Sequence, residues 1–142
     1  MDSFLKHQAR KCSSYIKDSK HYLQKLEEMK RSGIPKESIL VTMDVAALYT
    51  NIDHDEGAEA CFQKLESRKN KDVSSGILKS LILLVLKCNA FRFGSAMYEQ
   101  VMGTCMGTPM APNYANLFMD KFENDVLDSF REKKSLGPFS LV

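Results

Sequence analysis

The sequence predicts an α+β fold in which a few strands pack on helices. Apolar residues recur at helical spacing in several segments, one short apolar run is typical of a buried strand, and one alternating segment indicates a β-hairpin. The predicted order is helix, strand, helix, helix, hairpin, loop and long helix. These strands are too few to complete a sheet by themselves.

Helical spacing predicts four helices. Residues 13–31 carry apolar side chains at helical spacing, and Gly33 follows them as is typical of a helix end. Further helices are expected over 55–68, over the apolar and largely buried segment 74–88, and over 112–132. The last begins at a proline, whose missing N–H costs nothing in a first turn.

Two segments favour strands. Residues 38–44 are predicted to form a short buried strand. Residues 91–101 alternate on both sides of Gly94-Ser95-Ala96, which indicates a hairpin with a short loop. Residues 103–112 are rich in Gly, Pro and Thr, so a tight loop is expected before the last helix.

Composition indicates one globular domain. The chain has 142 residues, 44% hydrophobic and 27% charged, which is ordinary for a protein with a buried core.

Its four cysteines form no Cys-x-x-Cys pair, so free thiols in an intracellular protein are expected rather than a zinc site. No apolar run approaches the roughly 20 residues of a membrane helix, and no signal peptide is present, so no membrane partner is expected. The sequence does not distinguish nucleus from cytoplasm.

The first part of the chain is basic. Between Lys6 and Lys36 there are nine Lys or Arg residues against three Asp or Glu residues. Such an excess is typical of a solvated helix face or of a surface that contacts phosphate groups. Lys17, Lys20 and Lys25 are the candidate nucleic-acid contacts.

Asp44 stands at the end of the predicted strand. A buried carboxylate is costly unless something compensates its charge. Asp44 could cap the turn that follows, or it could bind a hard cation such as Mg²⁺. Tyr49, five residues further on, fits either a buried aromatic position or a place beside that cation.

The loop G-T-C-M-G-T-P-M-A-P at 103–112 also allows two interpretations. It lacks the G-K-[ST] of a phosphate loop. It is either a generic tight loop before a helix or a loop whose backbone approaches a ligand closely.

Four stretches in a fixed order carry a resemblance to a known family. They are S-Y-I-K-D-S at 14–19, L-V-T-M-D-V-A-A-L-Y-T-N-I-D-H-D-E-G at 40–57, the segment 91–119, and Phe122-Glu123. Together they resemble the reverse transcriptase domain of retroelements, most closely the Penelope-like branch, which is related to telomerase. The resemblance covers nearly the whole chain. It implies an incomplete right-hand polymerase, with a basic helical fingers-side segment at 1–36 and a partial palm at 37–142.

The resemblance also implies roles for single residues. The stretch 40–57 looks like polymerase motif A, which makes Asp44 a catalytic metal ligand and gives the Val45 carbonyl a supporting role. Tyr49 looks like the residue that packs under the sugar of the incoming nucleotide and disfavours a 2′-hydroxyl.

The loop at 103–112 looks like motif B, which is usually Q-G-x-x-x-S-P in reverse transcriptases. Gly107 matches the glycine, and Ala111 and Pro112 match the S-P pair. Met106 stands where that family has glutamine, so a polar contact at this position is not expected. These four residues, with Val45 and Tyr49, form the expected nucleotide-binding set.

The implied reaction is RNA-directed DNA synthesis on an RNA template and a DNA primer, with dNTPs as substrates and Mg²⁺ or Mn²⁺ as cofactor. Two metal ions roughly 3.5–4 Å apart require at least two carboxylates. The second normally comes from motif C, an aromatic-x-Asp-Asp hairpin, and the sequence contains no Asp-Asp dipeptide. The expectation is therefore a reverse transcriptase fragment that does not polymerise DNA alone. The alternative is a non-catalytic nucleic-acid- or protein-binding module derived from a retroelement.

Overall fold

The computed structural model describes residues 1–133, and this range is a mostly helical α+β structure. Its elements are α1 (Asp2–Ala9), α2 (Ser19–Ser32), α3 (Leu48–Asn51), α4 (His54–Glu66), α5 (Ser75–Lys87), β1 (Ala90–Phe93), β2 (Ala96–Glu99) and α6 (Ala111–Lys133). The α+β class is confirmed. Among these elements no helix is both long and apolar enough to cross a membrane.

Helix α4 lies at the centre of the core and packs against α1, α5 and α6. Its buried side chains include Ala58, Cys61 and Leu65, which fall on one face at helical spacing. Helix α1 also packs against α6, so the first and last described helices meet. The core therefore joins α1 to the later helices, whereas α2 has no buried residue and packs against no other described element.

Capping decides where two predicted helices begin. The Asp18 carboxylate accepts the N–H of His21 at 2.8 Å, so α2 starts at Ser19 and the predicted start at residue 13 is wrong. Asp53 caps α4 by accepting the N–H groups of Asp55 and Glu56 at 2.9 and 3.0 Å. The predicted helices over 55–68, 74–88 and 112–132 are confirmed with small changes at their ends.

Helix α1 has no counterpart among the predicted elements. It is eight residues long, which is too short to be stable by itself in water. Its buried residues, Leu5, Gln8 and Ala9, contribute to contacts with α4 and α6. Tertiary packing therefore forms this helix.

Burial along α5 and α6 is narrower than expected. Helix α5 buries only the stripe that contains Leu78, Ile82 and Leu86, so the expectation of a largely buried helix is wrong. On α6, Leu117 is buried whereas Phe122 is 53% exposed. Parts of both apolar patterns therefore face outward.

The predicted buried strand at 38–44 is wrong. These residues have no regular secondary structure and are exposed, with Ile39 at 85% and Met43 at 92% of full exposure. A strand needs a neighbour for its backbone N–H and C=O groups. Within residues 1–133 the two strands pair only with each other, so 38–44 has no such neighbour.

The predicted hairpin is confirmed. Strands β1 and β2 pair antiparallel in the register Phe91↔Tyr98, around a two-residue turn at Gly94-Ser95. The rings of Phe91 and Tyr98 stack with their centroids 5.7 Å apart. All eight strand residues are exposed, and no described helix packs on the hairpin.

Candidate functional site

The proposed metal ligand Asp44 lies on an exposed segment rather than at a buried strand end. Val45 beside it is 45% exposed. Within residues 1–133 no group of three or more His, Cys, Asp or Glu side chains could hold a metal ion. The described residues therefore supply one carboxylate and one carbonyl at this position, which is less than a Mg²⁺ centre requires.

The backbone after Asp44 adopts an uncommon conformation. Ala47 has φ 52° and ψ 41°, the left-handed region, which costs a residue with a Cβ about 1–2 kcal/mol. The Thr50 hydroxyl and the Asn51 amide donate to the Ala47 carbonyl at 2.9 and 3.2 Å. These bonds hold a tight bend between the exposed Asp44 segment and the short helix α3.

Tyr49 connects the two motif-like stretches. Its side chain is half-buried and packs against the core cluster. Its backbone carbonyl accepts the N–H of Thr104 at 2.7 Å, and the carbonyl of Ile52 accepts the N–H of Gly103 at 2.9 Å. The α3 segment is therefore fixed to the start of the loop at 103–112.

Gly103 makes this close approach possible. Its φ is +77°, and a Cβ there would lie 2.6 Å from the Cα of Thr50 and closer still to the Tyr49 carbonyl oxygen. Both obstacles are backbone atoms, so neither can move aside cheaply. Only glycine fits this position without displacing the α3 segment.

Two buried side chains, His54 and Tyr114, also stabilise the contact between the α3 segment and the loop that begins at Gly103. The buried His54 donates its Nε2–H to the Gly103 carbonyl at 2.7 Å. The Tyr114 hydroxyl donates to the Asp53 carbonyl at 3.3 Å, and a Cβ at Gly57 would overlap that hydroxyl. We name the set that joins the two stretches the motif junction; it consists of Tyr49, Ile52, His54, Gly103, Thr104 and Tyr114.

The motif B candidates are split between the surface and the core. Met106 is 75% exposed, and Gly107 has φ +104° with open space where a Cβ would stand. Ala111 is buried at the start of α6, where its N–H donates to the Thr108 carbonyl at 2.9 Å, and Pro112 is exposed. The Met106-Gly107 backbone is thus open to a ligand, whereas Ala111 anchors the helix.

Tyr114 in the motif junction and Asp53 beside it have pKa values shifted in opposite directions. Burial raises the pKa of the Tyr114 hydroxyl, so this group stays protonated and keeps its donor role at neutral pH. The N–H groups of Glu56 and Asp55 lower the pKa of Asp53, so its carboxylate stays ionised at the start of α4.

The three candidate lysines have different surroundings. Lys17 and Lys20 line a cleft of about 600 Å³, which we name the basic cleft, together with Arg10, Tyr15 and His21. Lys25 instead donates its Nζ to the Ser13 carbonyl at 2.9 Å. Lys25 therefore supports the turn between α1 and α2.

Sequence reasoning missed most of the motif junction. His54 and Gly103 lie inside the quoted stretches, but no signal in them indicated a contact between the two. Asp53 carried a usable signal, because an Asp followed by acidic residues is typical of a helix start. No family model matches this chain, and no curated protein or solved structure matches it significantly.

Proposed function

We propose that this chain is the central fingers–palm part of a reverse transcriptase from a retroelement, closest to the Penelope-like branch. In its full-length form such a protein is an RNA-directed DNA polymerase. The observation that carries the proposal is the pair of backbone hydrogen bonds from Gly103 and Thr104 to Ile52 and Tyr49. They join the two stretches on which the resemblance depends.

The surroundings of Tyr49 support a nucleotide-binding role. Its side chain packs against the core, its backbone carbonyl accepts the N–H of Thr104 at 2.7 Å, and the Gly107 backbone further along the same loop stays open. A half-buried aromatic ring can pack against a sugar, and the N–H groups of an accessible backbone can approach a phosphate. This combination suits an incoming nucleotide better than it suits a purely structural turn.

The exposed apolar side chains support the proposal that this chain is part of a larger catalytic domain. Ile39, Val41 and Met43 are each more than 60% exposed next to Asp44, and Phe93 is 75% exposed on the hairpin. Clusters of exposed apolar side chains often mark an interface. In the proposed full-length enzyme, further polymerase segments cover these side chains and supply the second carboxylate that Asp44 lacks.

Primer extension tests the proposal. The 142-residue chain, with an RNA template, a DNA primer, dNTPs and Mg²⁺ or Mn²⁺, should incorporate no nucleotide. A longer reading frame should encode an aromatic-x-Asp-Asp sequence within a few tens of residues downstream of Val142, and its product should extend the primer. A longer product that carries this sequence and is inactive would contradict the proposal.

The active longer product allows a sharper test. Asp44→Ala should abolish its extension, whereas Asp125→Ala, which removes an exposed carboxylate from α6, should leave extension unchanged. Because Asp44 is exposed, its substitution should not alter the circular dichroism of the 142-residue chain. Full activity of the Asp44→Ala product would show that Asp44 has no part in the reaction.

A non-catalytic nucleic-acid-binding module is the second candidate. The observation that favours it is the basic cleft, where Arg10, Lys17 and Lys20 converge. It differs from the first candidate in one respect: it predicts salt-dependent nucleic-acid binding without nucleotide incorporation in any longer product.

A further inference from the structure

A second cleft, with a volume of about 480 Å³, is lined by α1 and by the loop 67–74 between α4 and α5. We name it the α1 cleft. Its volume lies in the range of roughly 300–1,000 Å³ that is usual for ligand pockets. The residues that line it include Phe4, His7, Gln8, Arg68, Asp72 and Val73. No residue assigned above to nucleotide, metal or nucleic-acid binding lines this cleft.

Gln8 is the unusual residue of the α1 cleft, because its polar side chain is buried without a partner. Only 2% of the residue is exposed, and its side-chain amide has no hydrogen bond to any other residue in the range 1–133. Over the same range, no fully enclosed side-chain polar atom lacks a partner. The small exposed part of Gln8 must therefore include its amide, which faces the cleft that the residue lines.

Arg68 holds the two sides of the cleft together. Its Nε–H donates to the Leu65 carbonyl and its Nη2–H to the Val73 carbonyl, both at 2.9 Å. The same guanidinium lies over the Phe4 ring of α1, 5.5 Å from the ring centroid. Because both walls are already fixed, a ligand that enters loses little free energy to ordering them.

The tip of the loop is ordered by its own polar groups. The Asn70 amide donates to the Asp72 carboxylate at 2.9 Å, and the Asp72 N–H donates to the Asn70 side-chain carbonyl at 3.0 Å. Lys71 forms an ion pair with Glu66 at 2.6 Å. These loop side chains are therefore committed within the protein, whereas the Gln8 amide is available to a ligand.

The Gln8 amide selects the chemistry of that ligand. A primary amide offers an N–H donor and a C=O acceptor together, and one residue of an extended peptide presents a C=O and an N–H on the same side. Arg68 and Asp72 are the cation and the carboxylate among the lining residues, so with His7 neutral the walls carry no net charge. Phe4 and Val73 are half-buried and offer apolar surface. An extended peptide complements these walls better than a phosphate or a polycation does.

We propose that the α1 cleft binds an extended peptide segment of a protein partner. The Gln8 amide exchanges two hydrogen bonds with the N–H and C=O of one residue of the segment, and an apolar side chain of the segment contacts Phe4 and Val73. This binding involves no metal, nucleotide or nucleic acid, and it does not depend on the polymerase assignment. It gives the chain a protein partner in addition to the substrates proposed above.

The test is an NMR titration of the ¹⁵N-labelled 142-residue chain with N-acetyl-leucine N-methylamide, which carries one apolar residue with both its peptide groups. The side-chain N–H signals of Gln8 and the backbone signals of residues 67–74 should shift, with a Kd on the order of 1 mM. The ester analogue, in which oxygen replaces the leucine N–H, keeps the apolar side chain but loses one donor. It should bind about fivefold or more weakly.

Two matched variants test the role of Gln8. Gln8→Met removes the amide but keeps an unbranched side chain of similar length, and it should weaken binding of the peptide probe about tenfold. It should not lower the Tm, because an apolar group replaces an unpaired buried amide. Gln24→Met makes the same change at an exposed position of α2 outside the α1 cleft, and binding should stay unchanged.

Several results would overturn the proposal. Equal binding by Gln8→Met and the wild type would exclude Gln8 from the contact, and a lower Tm for this variant would show that the amide already has a structural role. If Gln8→Met does not fold, the comparison of amide and ester on the wild type still decides, since equal affinity would contradict the paired hydrogen bonds. The proposal also fails if the probe shifts no signal of the cleft, or if adenosine monophosphate shifts them at lower concentration.

Discussion

The N–H of Thr104 lies 2.7 Å from the carbonyl oxygen of Tyr49 and donates a hydrogen bond to it. This bond, with the neighbouring one from Gly103 to Ile52 at 2.9 Å, connects segments that are far apart in the chain. Thr104 is buried and Tyr49 is half-buried, so the bond is shielded from competing water. Substitutions at this junction and in the core that supports it should therefore affect stability more than exposed substitutions do.

Gly103→Ala should lower the free energy of unfolding by about 3 kcal/mol, because the new methyl group meets the backbone of Tyr49 and Thr50 at a positive φ. Gly107→Ala is the matched control, since it also has a positive φ but open space around it, and it should cost about 1–2 kcal/mol. Urea denaturation followed by circular dichroism measures both. An equal loss of unfolding free energy in the two variants would show that the backbone of Tyr49 and Thr50 leaves room for a methyl group at Gly103.

His54→Ala should cost about 1–3 kcal/mol, since it removes the donor to the Gly103 carbonyl and leaves a buried acceptor unpaired. His54→Gln offers an amide donor and should recover part of this loss. The exposed His7 on α1 serves as control, because His7→Ala should change stability by less than about 0.5 kcal/mol. Indistinguishable unfolding midpoints for the two alanine variants would contradict the assigned bond.

Asp53 should contribute to acid sensitivity. The N–H groups of Glu56 and Asp55 hold its pKa below the ordinary value of 3.8, so its stabilising contribution is complete above that value and is lost as pH falls towards the lowered folded pKa. Asp53→Asn retains a capping oxygen but does not titrate. Below about pH 4 the variant should therefore lose less stability than the wild type. Parallel stability curves from about pH 6 to about pH 3 would contradict this.

Lys64→Met should destabilise the core by about 3 kcal/mol, because it leaves the buried Asp120 carboxylate, only 2% exposed, without its cation. Lys121→Met breaks the exposed pair with Asp125 and should cost less than about 1 kcal/mol. Adding Asp120→Leu to Lys64→Met should restore most of the loss, since no unpaired charge then remains buried. Thermal unfolding of the three variants measures the difference.

Thiol labelling should divide the four cysteines into two classes. Burial raises the pKa of both Cys12 and Cys61 to about 12, so at about pH 8 these groups are protonated and inaccessible. Cys88 is exposed and Cys105 is partly exposed. A disulfide reagent should therefore modify two thiols quickly in the native protein and all four in urea. Rapid labelling of Cys61 in the native protein would contradict the packing of α4.

The elements with strong local signals could be predicted from the sequence. Helices α4, α5 and α6 carry apolar side chains at helical spacing, and the hairpin has alternation around a glycine-containing turn. These signals come from the segments themselves, so no distant partner was needed to recognise them. The start of α2 was missed because one side chain, Asp18, decides it.

The segment 38–44 shows the opposite case. Its apolar residues favour a buried strand, but burial requires a neighbouring strand, and the described strands pair only with each other. Helix α1 is the reverse case, because it is present but was not predicted. Its short sequence is weakly patterned, and only contacts with α4 and α6 stabilise it. In both cases the outcome depends on residues distant in the chain.

The sequence by itself determined the α+β class, the helices of the core, the hairpin and the resemblance that names Asp44, Tyr49 and Gly107 as candidates. The tertiary structure decided that Gly103 and Thr104 hold the Tyr49 segment, that Arg10 joins Lys17 and Lys20 in one cleft, and that Lys25 does not. Local spacing encodes which face of a helix is apolar. Hydrogen bonds between backbone groups that are distant in the sequence depend on the tertiary packing, because only the folded protein brings those groups together.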